Sequence, residues 1–170
     1  MVFVRYTQKE LYQVIADIDS YSAFVPFCTS SNVNSAVAGP SKTSISRLSK
    51  PWLKDPAEPN EPNDFQLRAE LKVGFMTFQE RYESTVECRR WDLVKATSNN
   101  ASLFKHLSTT WALRPHPTLK NSTIVDFSLC YSFASPVYAS VSSVFFDKVS
   151  SQMVNAFQSR CEKIYGRRRR

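Results

Sequence analysis

Residues 136–165 read PVYASVSSVFFDKVSSQMVNAFQSRCEKIY, with no glycine and no proline after the first residue. Proline suits the first turn of a helix, where the N–H it lacks would have no partner anyway. Val137 or Tyr138, Val141, Phe145, Val149, Met153, Ala156 or Phe157, and Ile164 recur at steps of three and four. That is the 3.6-residue stripe of an amphipathic helix. At about 1.5 Å per residue the segment spans roughly 45 Å, so it needs a broad apolar surface to lie on. Gly166 supplies a stop, and Lys163 and Arg167 place cations at the end of the helix dipole that favours them.

The segments before it supply that surface. From Phe65 the period is two: Leu67, Ala69, Leu71 and Val73 alternate with Gln66, Arg68, Glu70 and Lys72, as in a sheet with one wet face. The next strand groups Phe78, Tyr82, Val86 and Cys88, with Glu80 on the same apolar side as either an interior carboxylate or a strand-end residue. Residues 91–97 form another strand. Residues 102–113 bring Leu103, Leu107, Thr109, Trp111 and Leu113 to one face, and 123–133 do the same with Val125, Phe127, Leu129, Tyr131 and Phe133. The intervening 114–122 (RPHPTLKNS) is a hairpin turn.

Upstream, residues 2–6 read as a short strand. Thr7-Gln8-Lys9-Glu10 is a capping box that opens a helix carrying Leu11, Val14, Ile15 and Ile18. A second, shorter helix restarts at Asp19-Ser20 and stops at Pro26, because the residue before proline is pushed away from helical angles. Phe24, Val25 and Phe27 then sit on a turn, where they either plug the core or line an entrance. Residues 29–37 read as a strand. Residues 39–63 hold five of the nine prolines and read as a long surface loop with a strand extension near 44–48. Trp52 and Leu53 inside it either touch a membrane or fold back.

Composition narrows the functional classes. With 42% hydrophobic residues and 13% aromatics, 170 residues fit one domain with a substantial core. Three glycines leave no Gly-rich phosphate loop, and two histidines give a His-based metal site little to draw on. Cys28, Cys88, Cys130 and Cys161 match no zinc or redox spacing and read as free buried thiols. No apolar run is long enough for a membrane span, and the chain opens into VFVRY without a signal or transit pattern. Net charge is +7, and Arg167–Arg170 form a basic tail beyond a single domain of residues 1–166. Such a tail is a solvated end or an attraction to anionic lipid or RNA.

The order is strand, two short helices, a run of about six antiparallel strands, and one long helix. A sheet of consecutive hairpins twists as it widens, and curling around the last helix buries both apolar faces. That order resembles the α+β helix-grip fold of START and Bet v 1-like proteins. The segments YSAFVPFCTSSNV, AELKVGFMTFQERYESTV, SLFKHLSTTWALRP, STIVDFSLCYSF and VFFDKVSSQMVNAFQSRCEKIYG resemble the mitochondrial coenzyme Q-binding protein family. The likeness covers nearly the whole chain outside 39–63, where the insert exceeds the expected short hairpin.

The resemblance implies a non-enzymatic lipid chaperone that binds ubiquinone, or a related polyisoprenoid lipid, in a central apolar cavity. It implies support of ubiquinone biosynthesis and respiratory electron transport, and peripheral placement on the matrix side of the mitochondrial inner membrane. The ubiquinone-biosynthesis complex is a further candidate partner. No metal, no cofactor beyond the bound ubiquinone, and no nucleic acid is expected. The expected walls are Leu71, Val73, Phe78, Tyr82, Leu107, Trp111, Val125, Phe127 and Leu129, faced by Phe145, Val149 and Met153. The expected gate is Phe24, Val25, Pro26 and Phe27. Either Tyr82 or Trp111 can offer a polar tip to a quinone carbonyl. Phe145-Phe146 with Lys148, and Phe104 with Lys105, are the expected membrane contacts. Two alternatives stand beside this reading: a ribosome- or RNA-associated protein like the family's bacterial relative, and a cyclase-type enzyme built around Glu80 and Tyr82.

Overall fold

In a computed structural model, one antiparallel sheet carries the chain and a long helix closes it. The structure describes residues 2–75, 78–99, 102 and 104–168; the side chains of residues 3, 75, 78 and 137–148 lie outside that description. The strands are β1 (Val2–Val4), β2 (Cys28–Ala38), β3 (Thr43–Ser44), β4 (Asp64–Phe75), β5 (Phe78–Arg89), β6 (Leu93–Ser98), β7 (Phe104–Pro115) and β8 (Thr123–Phe133). Their spatial order is β1-β8-β7-β6-β5-β4-β2-β3. The first two strands therefore lie far apart across the sheet, and helix α1 (Gln8–Ile15) and a 3-10 helix (Ile18–Ala23) make the crossing. Helix α2 runs Pro136–Tyr165 and is wrapped by the curved sheet.

The local chemistry explains these boundaries. Thr7 and Glu10 form the capping box: the Glu10 backbone N–H donates to the Thr7 hydroxyl, and the Thr7 N–H donates to Glu10 Oε2 at 2.8 Å. Gly166 ends α2 at φ +83°, a left-handed angle that glycine adopts without side-chain strain. Register shifts at Cys28/Ser30 and Val33/Ser35 in β2, and at Phe104/His106 in β7, insert bulges that sharpen local twist.

Strand register stacks the inner face in rows. Phe65, Cys88, Val94, Trp111 and Phe127 are successive cross-strand partners, as are Leu67, Val86, Ala96, Thr109 and Leu129. The C-terminal half of α2 lies over the first row: the Phe157 ring is 4.8 Å from Trp111, 5.0 Å from Phe24 and 5.4 Å from Tyr21. Cys161 is the next helical residue in this packing and is fully buried. Ile164, expected on the stripe, is 49% exposed. At 100° per residue, positions 161 and 164 both fall within about 40° of 157, so packing rather than periodicity chooses between them.

The 39–63 insertion is not a loose loop. Trp52 is 0% exposed and its indole N–H donates to the Ala16 carbonyl at 3.2 Å, so it folds back onto the end of α1 instead of reaching outward. Gln13 donates to the Leu53 carbonyl at 2.8 Å, and Lys50 bridges Asp17 and Asp19 at 2.6 and 3.1 Å. From the other side Arg90, its side chain 1% exposed, donates to Asn63 Oδ1 at 3.1 Å and to the Pro51 carbonyl at 3.3 Å. The strand extension is at Thr43–Ser44, just upstream of its expected place. Cys28, Cys88 and Cys161 are buried free thiols, whereas Cys130 is exposed on the outer side of β8. Arg168 is tied down, pairing with Glu10 at 2.6 Å and lying over the Tyr6 ring at 5.3 Å.

Candidate functional site

Burial along the inner face is graded. In β4, Phe65, Leu67 and Ala69 are buried, while Leu71 and Val73 are only half-buried. In β8, Thr123 and Val125 are buried, while Phe127, Leu129, Tyr131 and Phe133 are half-buried. In β5, Cys88, Val86 and Ser84 are buried, while Tyr82 and Glu80 are half-buried. Every one of these residues belongs to the apolar-facing phase of its strand. The sheet therefore has a closed end, sealed by the C-terminal half of α2, and an open end where inward side chains stay partly uncovered. Phe104 and Leu107 form a second buried cluster there, with Tyr82, Leu129, Tyr131 and Phe133 packed against it.

The expected site residues divide between these ends. Leu71, Val73, Tyr82, Leu107 and Leu129 line the open end, and Phe127 sits at the boundary, its ring 4.4 Å from Trp111. Trp111 and Val125, each 4% exposed, belong to the closed packing. Met153 packs against the closed-end core and Val149 is half-buried one turn before it. The side chains of Phe78 and Phe145 lie outside the described residues, as do Phe146 and Lys148.

The expected gate also divides. Phe24 plugs the core edge-on to Tyr21 and Phe157, with the Arg160 guanidinium 5.2 Å over its ring, and Val25 is buried. Pro26 and Phe27 remain half-buried. Phe27 adopts φ +64°, unusual for an aromatic residue. Its carbonyl accepts the Gly74 N–H at 2.8 Å, which ties the turn to the open end of β4.

Three open-end residues escaped the expected wall. Phe104, paired with Lys105 as a membrane contact by sequence, is 6% exposed and faces inward, so it does not present its ring to a bilayer. Tyr131 and Phe133 complete the β8 alternation, which already placed them on the inner face although the expected wall stopped at Leu129. Glu80 lies opposite Val73 on the inner face, half-buried and near the start of β5.

Electrostatically the interior resists charge. Desolvation raises the Tyr21 and Tyr82 hydroxyls well above the ordinary phenol range. Burial also raises the Cys28 thiol and pushes Cys88 and Cys161 up to about 12. These groups stay protonated and neutral at physiological pH. Among the described residues, no cluster of three or more His, Cys, Asp or Glu is placed to hold a metal ion, and no helix is long and apolar enough to cross a membrane. A partly uncovered, largely apolar surface suits a hydrophobic guest better than a charged substrate.

Known proteins can be set against this geometry. The family described as polyketide cyclase / dehydrase and lipid transport matches residues 4–158. The chain is 32% identical over 160 residues to the mitochondrial coenzyme Q-binding protein COQ10 homolog B of Xenopus laevis, covering 94% of this chain and 55% of that protein. It is 30% identical over 163 residues to the mitochondrial coenzyme Q-binding protein COQ10 of Dictyostelium discoideum, covering 96% of this chain and 67% of that protein. The chain thus spans only part of the length of either relative. Among solved structures, the Zhui aromatase/cyclase from Streptomyces sp. R1128 superposes with a TM-score of 0.67 at 12% identity, over 95% of this chain and 90% of the other. That likeness speaks for the fold alone.

Proposed function

The chain belongs to the polyketide cyclase / dehydrase and lipid transport family, within its coenzyme Q-binding branch, and from that premise we propose that it carries ubiquinone or a related polyisoprenoid lipid at the open end of the grip. One observation carries the proposal: the inward rows that are solid at Leu67, Val86 and Trp111 become half-exposed at Leu71, Tyr82, Leu129, Tyr131 and Phe133. Leaving these side chains uncovered forgoes burial worth about 25 cal/mol per Å2. A lipid tail lying on them recovers it. Each methylene buried adds about 0.8 kcal/mol, so a few isoprene units bind by shape without a polar motif.

The protein acts in this reading as a carrier rather than a catalyst. Its relatives' names place them in mitochondria, and the same compartment is proposed here, at the inner-membrane surface where ubiquinone is made and used. Support of ubiquinone biosynthesis and of respiration follows from delivering or presenting that lipid.

The test is native mass spectrometry of the protein after incubation with liposomes containing ubiquinone, with organic extraction of the bound fraction. A mass increment equal to ubiquinone, and quinone absorbance in the extract, are expected. Protein that stays empty over a range of liposome concentrations would refute carriage, and increments from phospholipid alone would reduce the function to unselective lipid transfer.

A further inference from the structure

We infer that the Tyr82 hydroxyl donates a hydrogen bond to a carbonyl oxygen of the bound lipid's headgroup; the inference rests on the carrier reading above. Tyr82 lies on the inner face of β5, directly opposite Leu71. Its ring is held edge-on by Phe104 at 5.7 Å, in the cluster of Phe104 and Leu107 that Leu129, Tyr131 and Phe133 also pack against. The hydroxyl is therefore aimed by packing. Among the described residues it has no hydrogen-bond partner.

Other interior tyrosines differ in this respect. Tyr21 donates to the Ile15 carbonyl, Tyr6 to the Gly166 carbonyl at 2.9 Å, and Tyr165 to Gln13 Oε1 at 3.2 Å. Their hydroxyls are committed to holding the closed end together. Tyr12 is 0% exposed in the closed end, its hydroxyl beside the Cys88 thiol. Among the described tyrosines, Tyr82 combines a hydroxyl without a hydrogen-bond partner with a half-uncovered position on the open surface. A guest that covers this phenol strips its water, at a cost unless the guest brings an acceptor. A carbonyl supplies one, and a plain hydrocarbon cannot.

Register sets the level of the headgroup. Tyr82 is four residues in from Phe78, where β5 begins, which is about 13 Å along the strand. Phe104, whose cross-strand partner is Phe133, packs against the Tyr82 ring, whereas Leu129 shares the row of Val86 and lies deeper. A quinone ring at Tyr82 therefore sits nearer the strand ends than Leu129, and the half-buried Leu129 is left for the tail.

The experiment compares wild type with Tyr82→Phe, using a short-chain ubiquinone and squalene, an isoprenoid hydrocarbon with no headgroup, each partitioned from liposomes. The hydroxyl deletion should weaken ubiquinone uptake about three- to tenfold and leave squalene uptake and the thermal midpoint unchanged. The infrared carbonyl band of bound ubiquinone should lie below its position in hexane for wild type, and return toward it in Tyr82→Phe. Equal ubiquinone uptake by both proteins, or a wild-type band unshifted from hexane, would overturn the headgroup assignment while carriage stands. Failure of wild type to take up either lipid would overturn carriage as well. The infrared reading on wild type decides the matter even if the variant folds poorly.

Discussion

The two ends of the grip are built from the same strands yet filled differently. At the closed end the Trp111 ring lies 4.8 Å from Phe157 and 4.4 Å from Phe127 at the boundary, and Leu67 and Cys161 are fully buried. At the open end the same alternation continues through Leu129, Tyr131 and Phe133, but these side chains stay half-exposed. The lesson is that apolar periodicity says which way a side chain faces, not whether anything covers it. Packing at one end holds the fold, and the half-buried side chains at the other are where the carrier reading seats a guest.

Truncation at the closed end should cost most. Phe157→Ala removes a buried ring that touches Trp111, Tyr21 and Phe24, and should lower unfolding free energy by about 3–5 kcal/mol in denaturant titration. A loss below about 1 kcal/mol would mean that end is not solid. Arg90→Ala should cost about 2 kcal/mol, because Asn63 Oδ1 and the Pro51 carbonyl lose a buried donor. Limited proteolysis should then cut within 39–63, where the wild type resists. Leu129→Ala should cost under about 1.5 kcal/mol, since its side chain is already half-exposed, yet reduce lipid loading more than Phe157→Ala does at a temperature where both remain folded. The reverse ranking would exchange the roles assigned to the two ends.

Alkaline pH offers the mildest probe. Burial raises the Cys88 and Cys161 thiols from about 9 to about 12, so the folded state binds protons more tightly than the unfolded one. Their contribution to stability is full below pH 9 and is lost as pH rises from there through 12. Unfolding free energy measured at successive pH values should be flat between pH 7 and 8.5 and fall above 9, less steeply in Cys161→Ala relative to its own neutral-pH value. An unchanged slope in that variant would show that Cys161 is not desolvated as described.

Much of this was written in local pattern. Pro136 and Gly166 bracket α2, Thr7 and Glu10 announce α1, and two-residue alternation gives the inner faces of β4, β5, β7 and β8. The 39–63 insertion was not legible in the same way. Its prolines mark irregular backbone, but nothing local says that Trp52 will meet Ala16 or that Arg90 will reach Pro51 and Asn63, since those partners are 36 and 39 residues away at two of the contacts. The site was half legible. Sequence brought Tyr82 and Trp111 forward as equal polar tips, and only packing separates them, by burying Trp111 against Phe157 and leaving the Tyr82 hydroxyl without a partner among the described residues.

Amide hydrogen exchange with and without ubiquinone-loaded liposomes, against liposomes lacking the quinone, tests the account most directly. Added protection is predicted at 71–73, 80–84, 105–109 and 127–133, with no change around Phe65, Cys88 and Phe157. Protection confined to the insertion or to the closed end, or none at any of these strands, would contradict a guest seated where the inner face is left uncovered.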